Sequence, residues 1–314
     1  MDIDDEITLK KLKVFLSFMR LNNLGRVAEA LGQSTVSIHR ALHSLEEGMR
    51  CPLFKREGRN LIALPAAYAL AEHAQRAINE CEEGVRKVRE LSGLNGARLK
   101  IGALYSLTLH CIPQLVIGLK MRKPGLDIDL TLGSNRELLQ GLADGRLDAI
   151  AIGIDEASPA NDMVAVPLFN DEVNLAAPLG SPYAGKTAID LKDLQEEKFV
   201  TLGDGFITSH SFEHGFKLAG FEPHIAMRVG DIFSLINLVS NGLGYSLLPC
   251  RVAAFSPRIE LIPLAEKYAT HQRIAMLFAK SRERDLNLLA LAAECRMYSR
   301  GVRQLASIDV AGAP

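Results

Sequence analysis

Two short amphipathic segments, joined by three or four residues, constrain the start of this chain more than any other feature. Residues 25–32 form the first segment, and Gly32 suits the left-handed position at which many helices end. Ser34 or Thr35 can then cap a second helix that runs to about Glu47. Two short helices at this spacing predict a helix-turn-helix, a motif whose second helix can enter the major groove of DNA.

The second helix has an apolar side and a polar side. Its apolar residues recur at the i, i+3, i+4 and i+7 positions that face a core: Ile38, Ala41, Leu42 and Leu45. The sides left outside carry the predicted DNA contacts: Thr35, Val36, Ser37, His39, Arg40 and His43. Arg40 can pair with guanine or with a phosphate, and the serine and histidine side chains can add hydrogen bonds. The alternative is that this side is only a solvated surface.

A basic β-hairpin is predicted directly after the second helix. Its turn carries Lys55, Arg56 and Arg59, which suits a wing that contacts phosphates or the minor groove. We expect Arg26, Arg56 and Arg59 to hold phosphates. Residues 8–66 contain ten Lys or Arg and four acids, a charge of +6, whereas the rest of the chain carries −7. This asymmetry indicates a nucleic-acid-binding module joined to a domain of another kind.

One long alanine-rich helix is predicted from Pro65 to about Leu94. Its apolar residues keep a mostly three-four spacing on one stripe: Ala67, Leu70, Ala74, Ala77, Cys81, Val85, Val88 and Leu91. About 27 residues give a rod of roughly 40 Å, which a domain of 65 residues is too small to cover. We therefore expect the same helix of a second subunit as its coiled-coil partner. The alternative is an ordinary core helix of the C-terminal domain.

Strands and helices alternate beyond a predicted hinge at Gly93–Gly96. The first group predicts a parallel α/β unit, with strands at 99–103, 126–132 and 148–154 and helices at 107–121 and 135–143. The second group predicts strands near 173–177, 198–202, 225–229 and 245–248 and helices near 211–219 and 232–241. A last strand and helix, Arg273–Phe278 and Asp285–Arg300, are expected to return to the first unit. Two such lobes, crossed twice by the chain, enclose a cleft where ligands tend to bind.

Several classes of protein are disfavoured by what the sequence lacks. The five cysteines are scattered without a CxxC pair, which favours reduced thiols over disulfides or structural zinc, with a peroxide-sensing pair as the alternative. The acidic start has no apolar run of signal-peptide type, and no stretch reaches the ~18–20 apolar residues of a membrane span, so we expect a cytoplasmic protein. No nucleophile–base set or metal cluster has a supporting context, so we predict no enzyme, no catalytic residue, no metal and no cofactor.

The chain resembles the LysR-type transcriptional regulators over essentially its whole length. The resemblance is carried by Val27–Leu31 through Ser44–Glu46, followed by Pro52–Phe54 and Arg59. It implies a fold with a winged helix-turn-helix, a linker helix that dimerises and a two-lobed α/β effector domain of the type 2 periplasmic-binding-protein kind. It also implies tetramers on DNA and control by a small metabolite. The domains predicted on this basis are 1–65 (DNA-binding), 66–95 (linker helix) and 96–314 (effector-binding, lobe I about 98–168 and 269–300, lobe II about 169–268).

The match departs from the family pattern in the recognition region. The family usually has two alanines where Val27–Ala28 stands, serine at His39, threonine at Leu64 and glycine at Ala67, so base readout can differ from the common pattern. Other segments resemble the subgroup of the family that regulates genes for malonate decarboxylation: Val36–His43, Leu104–Leu109, Leu132–Asn135, Asp231–Ser234, Arg282–Asp285 and Asn287–Leu291.

A small carboxylate is the predicted effector, because backbone N–H groups at a helix start, together with nearby hydroxyls, hold such an anion well. The predicted contacts lie on both sides of the cleft: Tyr105, Ser106, Ser134, Asn135, Thr201, Gly203, Phe206 and Arg228. The family resemblance supports Ser106 and Ser134. A dianion such as malonate would also need a cation, for which Arg228 is the candidate. The alternatives are helix capping without a ligand for the serines and a surface ion pair for Arg228.

The favoured function is a sequence-specific transcription factor that binds double-stranded operator DNA as a homodimer or homotetramer and responds to a small carboxylate. RNA polymerase is a further candidate partner. One alternative is a LysR-type regulator of another pathway with another effector. A solute-binding or transport protein would share the two-lobed domain, but it does not fit the basic N-terminal module. An enzyme with an appended helix-turn-helix would need a catalytic constellation in the cleft.

Overall fold

The computed structural model describes residues 3–58, 60–91, 98–154 and 162–311, and internal contacts separate two units, residues 1–95 and 96–314. The first unit contains α1 (Leu9–Leu21), α2 (Leu24–Leu31), α3 (Thr35–Met49), β1 (Phe54–Glu57), β2 (Asn60–Ala63) and α4 (Pro65–Leu91). The second begins with β3 (Arg98–Ala103), α5 (Cys111–Arg122), β4 (Asp127–Leu132), α6 (Asn135–Ala143), β5 (Ala149–Ile154) and β6 (Met163–Pro178). It continues with β7 (Lys198–Leu202), α7 (Ile207–Ala219), β8 (His224–Val229), α8 (Ile232–Ser240), β9 (Ser246–Pro249), β10 (Ile259–Ile262), β11 (His271–Ala279) and α9 (Leu286–Ala311). The predicted hinge at 93–96 lies outside the described residues.

Local signals define the two short helices of the first unit. The Asn23 side chain caps α2, and Gly32, with φ of 61°, ends it. The Ser34 side chain accepts the Ser37 N–H and caps α3. The apolar sides of α1, α2 and α3 meet in one core, and β1 and β2 form an antiparallel hairpin beside it. The predicted winged helix-turn-helix is therefore confirmed.

The long helix α4 divides its apolar stripe between two environments. Ala67, Ala74 and Ile78 are buried in the core of the first unit, because α1 lies alongside this half of α4. Val85 and Val88, further along the same helix, are exposed. The expectation that the whole stripe serves a partner subunit is thus too broad, because its first half is partly buried in the core of its own unit, whereas the described side chains Val85 and Val88 of the second half are exposed.

A mixed sheet organises the second unit. Its strand order is β10-β6-β11-β5-β3-β4, with β9 also paired to β6, and β7 and β8 form a separate parallel pair. In lobe I, β3 runs parallel to β4 and β5, as predicted. The strand β11 pairs antiparallel with both β5 and β6, and α9 packs on α5, which confirms the predicted return to the first lobe. Lobe II contains β7 to β10, α7 and α8, and β6 and β11 are the strands that connect the lobes. In the described part of the chain, no helix is long and apolar enough to cross a bilayer.

The turn between α8 and β9 depends on two glycines for different reasons. Gly242 has φ of +78° and open space around it. A Cβ on Gly244 would lie 2.5 Å from the Lys198 carbonyl oxygen, which accepts the Tyr245 N–H at 2.8 Å. Gly242–Gly244 therefore forms a tight turn from α8 into β9 that tolerates no side chain at Gly244.

We expect Gly244→Ala to lower the free energy of unfolding by about 3 kcal/mol, because the backbone of β7 must move to admit the methyl group. Gly242→Ala should cost about 1–2 kcal/mol through its left-handed backbone. Gly230→Ala, where the space is open and φ is not left-handed, is the matched control and should be near neutral. Urea denaturation of the three variants tests this order, and equal effects at Gly244 and Gly230 would contradict it.

Candidate nucleic-acid interface and ligand cleft

The polar side of α3 is open to solvent. Every predicted contact on this helix is exposed: Thr35, Val36, Ser37, His39, Arg40 and His43. Ile38, Leu42 and Leu45, on the opposite side, are at most 2% exposed. Most of the exposed residues also line a shallow groove with Leu24 and Glu47. A duplex therefore has access to this side of the helix within the first unit.

The side chains on this surface make few contacts with other side chains of the described residues. Arg40 and His39 make no side-chain hydrogen bond or ion pair with any residue in the described part of the chain. His43 Nδ1 lies 3.3 Å from Glu47 Oε1. Val36 is 66% exposed, and an exposed apolar side chain at this place is suited to a thymine methyl group. The surface offers donors and one apolar contact, which is the chemistry of base readout.

The predicted phosphate contacts flank this surface. Arg26 is exposed in the first turn of α2, where its backbone N–H donates to Asn23 Oδ1 at 3.0 Å. In the hairpin, Arg56 Nε donates to the Gly58 carbonyl at 3.2 Å, and Lys55 pairs with Glu57 at 2.5 Å. Arg59 lies outside the described residues, so its role stays a prediction.

An N-terminal segment that received no role in the sequence analysis packs against the end of α3. Lys11 Nζ donates to Ser44 Oγ at 2.7 Å and pairs with Glu6. The hydrogen bond from Lys11 holds the pKa of Glu6 below its usual range, with Ser44 contributing a second bond. Gly48 leaves room for this segment, since a Cβ there would lie 3.1 Å from Glu6 Cβ. These contacts fix the C-terminal half of α3 to the segment that precedes α1.

A narrow cavity lies between the two lobes of the second unit. Its lining comes from the ends of β3 and β7, from the starts of α6, α7 and α8 and from the residues after β9: Leu104, Tyr105, Ser106, Asn135, Leu202, Phe206, Ile207, Thr208, Ile232 and Arg251. Its volume is about 20 Å³, room for about one water molecule. The cleft is therefore narrow in this structure and must widen to admit a larger ligand.

The structure places some predicted effector residues in this lining and others beside it. Tyr105, Ser106, Asn135 and Phe206 line the cavity. The other four do not, and they stay predictions: Ser134, Thr201, Gly203 and Arg228. Ser134 caps α6 in a reciprocal pair with Glu137, Thr201 is buried in β7, and Gly203 donates its N–H to the Val229 carbonyl at 2.9 Å. Arg228 is exposed on β8.

Contacts across the cleft hold the lobes together. Asn135 Nδ2 donates to the Gly153 carbonyl at 2.7 Å within lobe I, while its Oδ1 accepts the Ile207 N–H of lobe II at 3.3 Å. The backbone N–H of Arg136 donates to the Gly205 carbonyl at 3.1 Å. The start of α6 therefore bonds directly to the loop before α7, which explains the small volume of the cavity.

The cation of the cleft is Arg251, which the sequence analysis missed. It follows β9, and its side chain is only 8% exposed. Its Nε donates to Ser106 Oγ, its Nη1 to Asp171 Oδ2 and its Nη2 to Gln272 Oε1, each at 2.9 Å. Burial lowers the pKa of Arg251, and the Asp171 carboxylate opposes that shift. The available signal was an arginine two residues after an apolar strand, together with Asp171 and Gln272 just before the predicted strands 173–177 and 273–278.

The cysteines in the second unit are protected thiols. Cys111 and Cys295 are at most 2% exposed. Burial raises the pKa of Cys111 to about 12 and that of Cys250 to about 11, and it also raises the pKa of Cys295. Thiols in this state are poor nucleophiles, because the thiolate is the reactive form.

Comparisons with known proteins match the whole arrangement. The family models described as "Bacterial regulatory helix-turn-helix protein, lysR family" and "LysR substrate binding domain" match residues 9–67 and 92–300. A malonate utilization transcriptional regulator of Klebsiella pneumoniae is 47% identical over 96% of this chain and 99% of that protein. The transcriptional dual regulator GltC of Bacillus subtilis is 26% identical over 88% of this chain and 92% of that protein.

Solved structures match the fold as well. A full-length OxyR variant from Pseudomonas aeruginosa has a TM-score of 0.63 at 23% identity, over 92% of this chain and 95% of that one. Full-length CbnR in complex with its target DNA has a TM-score of 0.60 at 21% identity, over 93% of this chain and 100% of that one. At these identities the two structures show a common fold and no more.

Proposed function

The chain belongs to the LysR family of transcriptional regulators, and from this premise we propose that it reads operator DNA with the exposed side of α3 under the control of a small carboxylate held in the cleft. The observation that carries the first part is the solvent exposure of the α3 surface, whose Arg40 has no side-chain partner among the described residues. We propose that Arg40, His39 and His43 contact base edges and that Arg26, Arg56 and Arg59 contact phosphates.

The assembly proposed for this chain is a homodimer or homotetramer in the cytoplasm. Val85 and Val88 support a dimer through the second half of α4, since exposed apolar side chains on one long helix favour a coiled-coil contact. We keep the domain division 1–65, 66–95 and 96–314 as part of this proposal. RNA polymerase remains a candidate partner.

Malonate is the effector that we propose. The relative at 47% identity is named for malonate utilization. The cavity is small, and its polar lining consists of one buried guanidinium and the hydroxyl or amide side chains of Tyr105, Ser106, Asn135 and Thr208. Apolar residues such as Leu202 and Ile232 line the rest. This lining suits a short acid with an apolar centre. A regulator of another pathway with a different small acid is the alternative.

We expect malonate to change the affinity for operator DNA by at least about fivefold, the lower range of allosteric coupling between two sites. Fluorescence anisotropy with the DNA upstream of the chain's own gene measures this change, and a scrambled duplex of equal length is the control. A change produced by another short acid and not by malonate would contradict the choice of effector. Binding that does not distinguish the two duplexes would contradict sequence-specific readout.

A further inference from the structure

The buried guanidinium of Arg251 has more hydrogen-bond donors than the protein uses. A guanidinium carries five N–H groups. One N–H on each nitrogen is bonded, to Ser106, Asp171 and Gln272. Arg251 makes no other side-chain hydrogen bond with the described residues, so Nη1 and Nη2 each keep one donor without a protein acceptor.

These two donors lie on a side chain that lines the cavity and is only 8% exposed. A buried donor without a partner is destabilising, and native structures rarely retain one without a reason. The two oxygens of a single carboxylate match two guanidinium N–H groups in a bidentate pair. Because Arg251 lines the cavity, an acceptor bound there would complete the hydrogen bonding of its guanidinium.

The rest of the lining favours a negative group. No acidic residue is among the described residues that line the cavity. The N-terminal end of α7 reaches it at Ile207 and has no side-chain cap, and helix N-termini favour anions. Carboxylates of Glu137 and Asp231 already lie at the starts of α6 and α8. Asp171 balances the charge of Arg251, so the start of α7 would stabilise the additional negative charge.

We infer that Arg251 is the specificity-determining residue of the cleft, and that a carboxylate of the effector takes its two unused donors. This inference rests on the proposed function, since it assumes that the cleft is the effector site. It deepens that proposal by naming the residue that distinguishes a carboxylate from a neutral ligand.

The position of Arg251 also connects the ligand to both lobes. Its bond to Ser106 reaches lobe I, while Asp171 and Gln272 lie opposite each other on β6 and β11, the strands that connect the lobes. Gln272 Nε2 continues the network to Ser211 of α7 at 3.2 Å. A ligand on Arg251 therefore contacts a side chain that bonds to lobe I and to both connecting strands.

The test compares malonate with its neutral diamide, malonamide, by calorimetry on the full-length protein. Wild type should bind malonate at least about 30-fold more tightly than malonamide, as expected for a buried charged pair. Arg251→Lys keeps the positive charge but removes the planar pair of N–H donors. It should lower the affinity for malonate by about 30-fold and change the affinity for malonamide by less than threefold. Arg282→Lys is the matched control. Arg282 is a second buried arginine of this unit, it is bonded to Asp148 and Asp285, and it does not line the cavity. This variant should bind malonate with the same affinity as wild type.

The outcomes separate this inference from the proposed function. Equal malonate affinity of folded Arg251→Lys and wild type would overturn the role of Arg251 and leave malonate as the effector. If wild type binds succinate or acetate instead of malonate, and Arg251→Lys loses that binding, the role of Arg251 is supported and malonate is wrong. If Arg251→Lys does not fold, the ratio of the affinities of wild type for malonate and malonamide tests the inference. Equal affinity for the two ligands overturns it. Binding of none of these acids would overturn both.

Discussion

The Arg40→Ala protein should lose sequence-specific DNA binding while it remains folded and retains its oligomeric state. Each guanidinium lost from a base edge costs about 1–3 kcal/mol. A dimer would lose two such contacts, so we expect the free energy of operator binding to weaken by roughly 2–6 kcal/mol, which lowers the operator affinity at least about 30-fold. Arg40 is exposed and bonds to no described side chain of its own unit, so its removal should change the free energy of unfolding by less than about 0.5 kcal/mol.

A footprint on the operator and an anisotropy titration on the scrambled duplex measure the two kinds of binding. The matched control is Arg76→Ala, which removes an exposed arginine of the same unit from α4, where it contacts His73. Arg76→Ala should keep the operator footprint. A footprint of Arg40→Ala that equals the wild type would exclude Arg40 from base readout.

The first unit was predictable because its signals are local. The caps at Asn23 and Ser34, the left-handed Gly32 and the spacing of Ile38, Leu42 and Leu45 are each visible within four residues of sequence. The start of α5 was predicted at Leu107, but the helix begins at Cys111. Pro113 explains the difference, since proline is tolerated in the first turn of a helix and not in its interior.

The long strand β6 was predicted only in part, near 173–177, whereas it runs from Met163 to Pro178. A bulge opposite Ile274 and Ala275 breaks the alternation of buried and exposed residues, and Pro167 interrupts the pattern of a regular strand. Asp171 adds a charge within the strand. That charge is explained by Arg251, 80 residues further along the chain.

The effector cleft was predictable only where helix starts supply its residues. Tyr105, Ser106 and Asn135 follow strand ends, and the sequence alone predicts that such residues lie at the cleft. The sequence does not predict the same for Arg251, because its burial depends on contacts with three distant residues. Arginine side chains are most often on the surface, so the sequence alone favours a cation at a strand end, such as Arg228.

Replacement of Arg282 with methionine should strongly destabilise lobe I. Arg282 Nη1 pairs with Asp148 Oδ1 at 2.5 Å and Nη2 with Asp285 Oδ2 at 2.6 Å, and all three side chains are at most 12% exposed. Asp285 also accepts the Asn287 N–H at the start of α9, and Asp148 accepts the Lys100 N–H of β3. Arg282→Met would leave two buried carboxylates that the backbone still holds in place, at a cost of about 3–5 kcal/mol at pH 7.

The matched control for this change is Arg98→Met. Arg98 pairs with Asp129 at 2.5 Å in the same lobe, but the two side chains are 62% and 41% exposed. A surface pair of this kind contributes about 0–1 kcal/mol. Urea denaturation at pH 7 should therefore separate the two variants by several kcal/mol, and a similar loss in both would mean that the Arg282 network is not a buried ion pair in solution.

The pH dependence provides an independent check on the same network. Burial alone would raise the pKa of Asp285, but the Arg282 guanidinium and the backbone N–H groups of Asn287 and Leu288 outweigh it and lower that pKa. A carboxylate with a lowered folded pKa stabilises the protein above its unfolded pKa of about 3.9 and loses that contribution as the pH falls through the folded value. Without Arg282 the folded pKa of Asp285 is higher than in wild type, so the variant loses less stability than wild type as the pH falls. The difference in free energy of unfolding between wild type and Arg282→Met should thus narrow below about pH 4. A difference that stays constant between pH 7 and pH 3 would show that lost packing, and not lost charge pairing, destabilises the variant.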